Sequence, residues 1–413
     1  MKKVYIWGTG INGKKVLECI NHVECEVLGY IDNNPDKQGE KFVGFPIVSY
    51  SDILGKYDYI IVSVINYSAI LYQLELEGYK DFDRIIIFYD SAFLEKEEYI
   101  RILNKERWRI SLLEYKIKIL EDALEYRTRN IGYEIIDKWS KGEYWYPQIG
   151  KTEEAIEKIV NEGYSMIRFG DGEFEIMAGN ERPIFQKYDN ELSGNLRKII
   201  NSDNSKILIA IANNYGNLEQ YTHMTADGIR EYMNEEVRLF HQTMLRKDKV
   251  YYDAYMFKTY MPYKNKEETE KRVELVKRIW DNKDIIIIEG RETRTGVGND
   301  LFDNVKTIKR LLAPTQNAYS IYNKILSEAI KLNKEALILT VLGPAGKILT
   351  YDMVQAGYQV VDIGQIDMDY EWYKAGRGTK VPIPNKYVSQ LPPTKVEDII
   401  DEKYKSEIIA VID

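Results

Sequence analysis

Short, mostly apolar runs recur along this chain, each is followed closely by a glycine, and stretches with helical spacing lie between them. Residues 4–7, 165–168, 285–288 and 336–342 show this order most clearly. Four consecutive isoleucines, as at 285–288, are typical of a strand that is buried on both faces of a parallel sheet. The alternation of strands and helices predicts an α/β fold.

Composition narrows the class of protein. Hydrophobic residues make up 44% of the 413 residues and charged residues 30%, which suits a globular chain of two or three domains. A formal net charge of −8 argues against nucleic-acid binding through a basic surface. We find no apolar run long enough for a transmembrane segment and no cleavage site near the start, so we expect a cytoplasmic protein. Cys19 and Cys25 match neither a zinc site nor a redox pair.

The first third of the chain carries a nucleotide-fold signature. The strand at 4–7 leads into Gly8-Thr-Gly-Ile-Asn-Gly13, and Asp32 ends the next predicted strand, where a ribose-binding acid would stand. We therefore predict a small Rossmann-like domain over residues 1–92, similar to the domain at the front of bacterial sugar acyltransferases. Both a working NAD site and a degenerate or docking domain remain open.

Residues 93–147 form a predicted helical connector. Apolar residues follow each other at spacings of three and four, which is the pattern of a short coiled coil or of a helix that lies against a domain. They are Ile110, Leu113, Ile117, Leu120 and Leu124. Two alternatives stay open: a homodimer through residues 100–125, and packing of the helix within one chain.

The stretch 166–175 is the strongest candidate for a reactive site. Asp171 and Glu173 flank Gly172, which lets a turn tighten and aim both carboxylates at one hard cation, Mn²⁺ or Mg²⁺. Arg168 comes one step earlier on the predicted strand, where its guanidinium would bind a phosphate or lock a carboxylate. The alternative is a polar turn whose acids are simply solvated.

Two later stretches add candidate phosphate and acid groups. Arg294 and the loop 296–300 combine positive charge with paired glycines, as in a diphosphate cradle, although a plain surface loop is the alternative. After a strand at 359–363, Asp367 and Glu371 are candidates for the base that deprotonates an acceptor hydroxyl. Acids at a helix start are also ordinary dipole compensation.

Residues 224–245 are predicted to form one long helix.

Three blocks resemble the GT-D fold glycosyltransferases, a bacterial family that uses sugar nucleotides. They are residues 168–173, residues 289–303, and residues 342–347 continuing into 362–372. The resemblance covers roughly residues 150–390 and implies that residues 148–413 form a larger α/β glycosyltransferase domain. The family usually has His where this chain has Gln365, and glutamine cannot exchange a proton at neutral pH. A histidine base cannot be carried over.

The resemblance implies a transfer from a nucleoside-diphosphate sugar, with UDP expected, to a glycan, glycoprotein or lipid-linked acceptor. Asp171 and Glu173 would bind the metal, and Asp367 or Glu371 would act as the base. Nucleotide-sugar binding would involve Arg168, Gly170, Gly172, Glu289, Arg294, Gly298, Asn299 and Asp300. Peripheral contact with the inner face of the membrane stays open. The alternatives are an NAD(P)-dependent sugar-nucleotide oxidoreductase or epimerase run by the first domain, and a non-catalytic scaffold.

Overall fold

The computed structural model describes residues 1–76, 79, 82–88, 98–134, 145–180, 185–389, 391 and 396–413. These residues form two compact units, Met1–Glu125 and Tyr126–Asp413. The domain boundary that we predict at residue 92 lies outside the described residues. None of the helices in the described ranges combines the length and the apolar character that a bilayer span requires.

The first unit is built on a small sheet. Its strands are Lys2–Trp7 (β1), Cys25–Ile31 (β2), Lys41–Phe42 (β3), Phe45–Val48 (β4), Tyr59–Val62 (β5) and Ile85–Ile87 (β6), and its helices are Ile11–Cys19 (α1), Tyr67–Leu76 (α2) and most of Glu98–Glu134 (α3). The order is β3-β4-β2-β1-β5-β6, with β3 antiparallel to β4 and the other pairs parallel. The parallel α/β sheet predicted here is confirmed.

The second unit contains the larger sheet. Its strands are Gln148–Gly150 (β7), Ser165–Phe169 (β8), Ile207–Ile211 (β9), Val250–Asp253 (β10), Asp284–Gly290 (β11), Thr307–Ala313 (β12), Leu337–Val341 (β13), Val360–Asp362 (β14) and Ile408–Val411 (β15). The order is β15-β12-β11-β13-β14-β8-β9-β10-β7, and every pair is parallel. All these strands therefore end at the same edge of the sheet.

Helices cover both faces of this sheet, so its central strands are apolar on both sides. The helices are Thr152–Glu162 (α4), Asp171–Ala178 (α5), Asn190–Ile199 (α6), His223–Tyr232 (α7), Glu235–Met244 (α8), Thr269–Lys277 (α9), Tyr322–Ala329 (α10), Gly343–Gln355 (α11), Ile366–Lys374 (α12) and Glu402–Glu407 (α13). In β11, Ile286 and Ile288 pack into one core cluster and Ile285 and Ile287 into the other. The buried isoleucine strand is confirmed.

The single long helix predicted for residues 224–245 is wrong. Helix α7 ends at Tyr232, and α8 begins at Glu235. The break lies at Asn234, whose side-chain oxygen accepts the Val237 backbone N–H at 2.9 Å. An asparagine in this role caps a new helix N-terminus, which competes with continuation of the preceding helix. Apolar spacing across the break does not reveal it.

Candidate active site

The candidate site lies at the carboxyl edge of the large sheet, where β14, β8, β9 and β10 stand side by side. In parallel α/β sheets this edge is where ligands bind, because the loops that follow the strands gather there. The acidic stretch predicted to be reactive follows β8 directly, and the later acidic stretch follows β14. The fold therefore brings two of the three resembling blocks to neighbouring strand ends.

Arg168, near the end of β8, locks a carboxylate. Its Nε donates to the Asp362 carbonyl oxygen at 2.7 Å, and its Nη2 lies 3.4 Å from Asp362 Oδ1. Its Nη1 donates to the Ala254 carbonyl oxygen at 3.1 Å, and the guanidinium stacks over the Phe257 ring. A Cβ on Gly364, whose φ is +50°, would overlap this guanidinium. Arg168 therefore locks a carboxylate, which is the second of its two predicted roles, and its contact with a nucleotide stays a prediction.

Asp171 and Glu173 occupy the first turn of α5, so the predicted acidic turn is a helix start. Glu173 is 8% exposed, and its Oε2 accepts the backbone N–H of Gly170 at 2.8 Å. Its Oε1 lies 3.4 Å from Lys347 Nζ. Asp171, in contrast, is exposed. The two carboxylates therefore differ: Glu173 stabilises the helix start from inside, whereas Asp171 faces the solvent side of the edge.

Lys347 joins the two acidic stretches. It lies in the first turns of α11, is 5% exposed, and places its Nζ 2.9 Å from Asp362 Oδ2 as well as near Glu173. Burial alone would raise the pKa of Asp362, but Lys347 and Arg168 outweigh it and hold that pKa below its usual range. Four charged side chains thus form a compact, internally neutralised cluster behind Asp171.

Two further lysines, Lys258 and Lys380, interact electrostatically with Asp171. Lys258, which follows β10, is under the electrostatic influence of Asp171, Lys380, Arg168 and Asp369, and burial lowers its pKa. Its Nζ lies 4.8 Å from the centre of the Tyr255 ring. Among the described residues no carboxylate comes within ion-pair distance of this ammonium group. The edge of the sheet therefore has a basic flank suited to an anionic ligand.

The acids of α12 form a separate ion cluster. Asp367 is 1% exposed, and its two oxygens accept from Asn299 Nδ2 and Lys386 Nζ, each at 2.7 Å. Glu371 takes bonds from the same two donors on Oε1 alone, at 2.7 and 2.8 Å, and its side chain is 24% exposed. Of the two predicted bases, Glu371 is thus the one whose second oxygen accepts no hydrogen bond within the described residues.

Glu289 and Arg294, which are both predicted to contact the nucleotide, are buried side chains with partners in the protein. Glu289 is fully buried, where it pairs with Arg310 at 2.6 Å and accepts the Thr295 backbone N–H at 2.7 Å. Arg294 is 5% exposed and donates to the carbonyl oxygens of Asn385 and Glu397, at 2.7 and 2.6 Å. Both side chains are enclosed by protein, and contact with a nucleotide stays a prediction for each of them.

The loop 298–300 packs on α12 instead of forming an open cradle. Gly298 has a φ of +81°, which glycine adopts without strain. Asn299 bonds the α12 acids as described, and Asp300 accepts from Tyr370 at 2.9 Å and pairs with Lys374 at 3.1 Å. This loop therefore positions the acids of α12, and any contact that it makes with a nucleotide stays a prediction.

Sequence reasoning missed Asp253, the last residue of β10. Burial raises its pKa to about 6, against the opposing effect of hydrogen bonds from Tyr255 and Asn213. A carboxyl group with a raised pKa at this edge of a sheet is a candidate for acid–base chemistry. Its strand, Val250–Asp253, is short and follows a charged stretch, so the sequence does not clearly predict a strand there. The local signal is the pair of tyrosines that comes directly before the aspartate.

The described residues can supply only part of the ligand set of a metal ion. In the described part of the chain, no three His, Cys, Asp or Glu side chains group closely enough to hold an ion alone. Mg²⁺, however, is commonly held by one or two carboxylates together with substrate phosphates. Asp171 and Glu173 supply that number of carboxylates beside the basic flank. The residues therefore fit a cation that arrives with a diphosphate.

The first unit has a strand-to-helix turn of its own. Gly8 has a φ of +114°, and a Cβ on Gly13 would collide with the Gly8 carbonyl oxygen, so both glycines are required by the close packing of β1 against α1. Asp32 accepts from Thr9 and lies 3.0 Å from Lys37 Nζ. The predicted ribose-binding acid is thus already paired, and nucleotide binding here stays a prediction.

Comparisons with known proteins agree with the site-bearing part of the chain. A family model described as "Glycosyltransferase GT-D fold" matches residues 166–391, and one described as "C2185-like, N-terminal" matches residues 1–86. "Glycosyltransferase GlyD" of Streptococcus pneumoniae serotype 4 is 34% identical over 267 residues, which is 64% of this chain and 32% of that protein. "Probable glycosyl transferase Gly" of Streptococcus gordonii is 32% identical over 260 residues, 62% of this chain and 38% of that protein. The chain thus spans about a third of the length of these curated relatives.

Solved structures show the same likeness. One described as "The highly conserved domain of unknown function 1792 has a distinct glycosyltransferase fold" has a TM-score of 0.61 and 31% identity, covering 65% of this chain and 96% of that one. Another, "A New Glycosyltransferase (DUF1792) from Streptococcus sanguinis", has a TM-score of 0.60 and 31% identity, covering 65% of this chain and 100% of that one. The family model covers more than half of the chain, and these structures are matched almost completely. The chain therefore belongs to the glycosyltransferase GT-D fold family.

Proposed function

We propose that this chain transfers a sugar from a nucleoside-diphosphate sugar, with UDP as the expected nucleotide, to a glycan, glycoprotein or lipid-linked acceptor in bacterial surface polysaccharide or glycoprotein synthesis. The observation that carries the proposal is the exposed Asp171 at the head of α5, backed by the buried ion cluster of Glu173, Lys347, Asp362 and Arg168. Such a cluster fixes the turn, so Asp171 meets the ligand in one orientation. We place the reaction in the cytoplasm, where peripheral contact with the membrane would serve a lipid-linked acceptor.

Asp171 and Glu173 would hold Mn²⁺ or Mg²⁺, and a bound divalent cation neutralises the charge that develops on a leaving diphosphate. Oxygen ligands favour these ions over zinc. Glu173 would approach a cation only by sharing an oxygen with Lys347, whereas Asp171 is the more exposed ligand.

Lys258 contributes to the same charge stabilisation. Lys258 follows β10 and Lys347 follows β13, and these two strands lie on opposite sides of β8 in the strand order of the sheet. Among the described residues, the ammonium group of Lys258 has no carboxylate within ion-pair distance. Burial lowers the pKa of Lys258, and a diphosphate beside it would favour the charged ammonium form and accept charge-assisted hydrogen bonds from it. Lys258 is therefore expected to bind the phosphate groups of the donor.

Glu371 is the better candidate for the base. Asp367 has both oxygens occupied by Asn299 and Lys386 and is almost fully buried, whereas Glu371 keeps one oxygen for the acceptor. Glu371→Gln is expected to lower transfer by about 10²-fold or more, the usual weight of a positioned acid–base group, with donor binding little changed. Asp367→Asn serves as the matched variant, with initial rates and donor affinity as the measurements. Native transfer by Glu371→Gln, together with a large loss in Asp367→Asn, would return the role to Asp367.

The donor class is tested with a panel of nucleoside-diphosphate sugars. Thermal shift reports binding, and release of the nucleoside diphosphate reports hydrolysis or transfer, each with Mn²⁺, Mg²⁺ or EDTA. We expect one donor to stabilise the protein and to turn over when a divalent cation is present. Full turnover in EDTA would remove the metal from the proposal. A protein that neither binds nor turns over any donor would favour the scaffold reading.

A further inference from the structure

Helix α3 exposes a row of large apolar side chains, here called the α3 stripe. Its members are Ile110, Leu113, Ile117, Leu120 and Leu124, which are 54%, 56%, 53%, 67% and 65% exposed. The opposite side of the same helix is covered, because Trp108 and Leu112 pack into the core of the first unit. Helix α3 thus packs against its own chain through Trp108 and Leu112, whereas no other part of the described chain covers the stripe.

The spacing of the residues in the α3 stripe indicates that a second helix packs against it. Its members follow each other at three, four, three and four residues, a repeat of seven that keeps them on one seam of a left-handed supercoil. Ile110 and Ile117 fall at the first core position of the repeat, and Leu113 and Leu120 at the fourth. Isoleucine at the first and leucine at the fourth favour a parallel coiled coil of two strands.

The charged residues beside the stripe specify the partner and its direction. Arg109 and Lys116 flank the seam on one side, and Glu114 and Glu121 on the other. In a parallel pair in register, Arg109 meets the partner's Glu114 and Lys116 meets the partner's Glu121, so every such contact joins opposite charges. In an antiparallel pair, acids would meet acids and bases would meet bases. Self-association is thus complementary in one direction only.

We propose that the α3 stripe binds the α3 stripe of a second copy of this chain as a parallel two-stranded coiled coil. Lys116 also lies 2.5 Å from Glu75 of its own chain, but both side chains are partly exposed, so this ion pair can be shared or exchanged. The stripe lies wholly in the unit Met1–Glu125. The dimer contact is therefore made by a different unit from the one that carries the candidate active site.

The first test measures the mass of the full-length protein by sedimentation equilibrium. We expect a dimer, and we expect Leu113→Glu with Leu120→Glu to weaken it by more than 10-fold while circular dichroism stays that of the native protein. The matched control is Leu54→Glu, since Leu54 is 59% exposed in the same unit but outside the stripe. A native protein that is monomeric at micromolar concentration would overturn the proposal, and so would a dimer that the double substitution leaves intact.

A charge-exchange experiment tests the partner and the direction together. One variant carries Glu114→Lys and Glu121→Lys, and the other carries Arg109→Glu and Lys116→Glu. Each alone should dimerise at least 10-fold more weakly than the native protein, because the flanking contacts become repulsive, and an equimolar mixture should form a heterodimer. Failure of the mixture to associate more tightly than either variant would overturn the proposed pairing.

Disulfide formation checks the register. In a Cys19→Ser, Cys25→Ser background, Leu120→Cys places one thiol at a core position, and a parallel dimer in register brings it against the same residue of the partner. We expect mild oxidation to yield a covalent dimer, with Leu54→Cys as the control that does not. A dimer that persists in solution but does not cross-link at position 120 would overturn the parallel arrangement.

Discussion

The two units each contain a parallel strand that enters a helix through a glycine, yet the two turns carry different chemistry. Between β1 and α1, Gly10 caps the helix, and the first turn of α1 contains no acid. Between β8 and α5, Gly170 occupies the same position, but Asp171 and Glu173 follow it. In the second turn, the Glu173 carboxylate accepts the backbone N–H of Gly170, and the first turn of α1 has no acid that could do the same.

The comparison indicates that glycines at a strand-to-helix turn define the path of the backbone, while the neighbouring charged residues determine which kind of ligand the turn can bind. Both turns have an acid paired with a lysine, Asp32 with Lys37 and Asp362 with Lys347. Lys37 is 46% exposed and Lys347 only 6%. The pair of an aspartate with a lysine therefore lies at the surface in the first unit, whereas in the second unit it is buried beside the candidate site.

The largest difference is expected in stability. Lys347→Met should cost about 3–5 kcal/mol of unfolding free energy, because it leaves the buried Glu173 without its counterion and removes one of the two counterions of the buried Asp362. Lys37→Met should cost under about 1 kcal/mol, as an exposed pair contributes little. Urea unfolding of both variants at pH 7 makes the measurement. Equal losses would show that the two ion pairs do not differ as their burial indicates.

Activity should separate the two turns next. Asp171→Asn is expected to lower sugar-nucleotide turnover by roughly 10²–10³-fold, the scale for loss of a group that stabilises developing charge. Asp32→Asn should leave turnover unchanged, because its turn belongs to the other unit. Initial rates with the donor found in the panel, at saturating Mn²⁺, make the comparison. Native turnover by Asp171→Asn would remove this residue from the site.

A smaller effect is expected from the basic flank. Lys258→Gln should weaken donor turnover by about 10-fold to 10²-fold, which corresponds to the ~1.5–3 kcal/mol of a hydrogen bond to a charged group. Lys264→Gln is the matched control, since Lys264 is exposed on the same segment. Product inhibition by the free nucleoside diphosphate should weaken in parallel. If Lys258→Gln and its control behave alike, the ammonium group does not contact the phosphates.

The smallest effect is a pair of opposite pH dependences. Burial raises the folded pKa of Asp253 to about 6 from 3.8, so folding becomes less favourable as pH rises through that value, and Asp253→Asn should stabilise the protein at pH 7–8. The pKa of Asp32 is lowered despite burial, by Thr9, Asn34 and Lys37, so its stabilisation exists above pH 3.8 and fades as the solution is acidified. Thermal unfolding between about pH 2 and pH 8, a range that extends below the unfolded pKa of Asp32, compares the variants. Matching pH trends for Asp253→Asn and Asp32→Asn would contradict the opposite shifts.

Sequence reasoning located the elements that have local signatures. The glycine turns after β1 and β8 and the buried run in β11 were predictable, because backbone geometry and burial leave a mark within a few residues. The strand Thr307–Ala313 was not predicted, since Lys309 and Arg310 interrupt its apolar run. Arg310 is 2% exposed in spite of its charge, because Glu289 and Glu407 compensate it from elements distant in sequence.

The site was predictable only in part, and for a related reason. Asp171 and Glu173 were identified from their spacing, but nothing local distinguishes the exposed acid from the buried one. Glu289 is predicted to contact the nucleotide because it begins the second block that resembles the family. Its ion-pair partner in the structure, Arg310, lies on β12, where the register pairs it with Ile287, two residues before Glu289 and on the same face. Pairings of this kind require the strand order.

The pairing of β8 with β14 also has a consequence for how the protein is made. Arg168 and Asp362 are 194 residues apart, and their strands are neighbours in the middle of the large sheet. At the usual pace of synthesis, Arg168 would leave the ribosome roughly 10–40 s before Asp362 exists. Throughout that interval one edge of β8 has no strand to pair with, and contacts of such long range form slowly. The nascent chain is therefore expected to depend on chaperones until β14 emerges, and a product truncated before β14 would retain Asp171 while lacking the carboxylate that holds Arg168 and Lys347 in place.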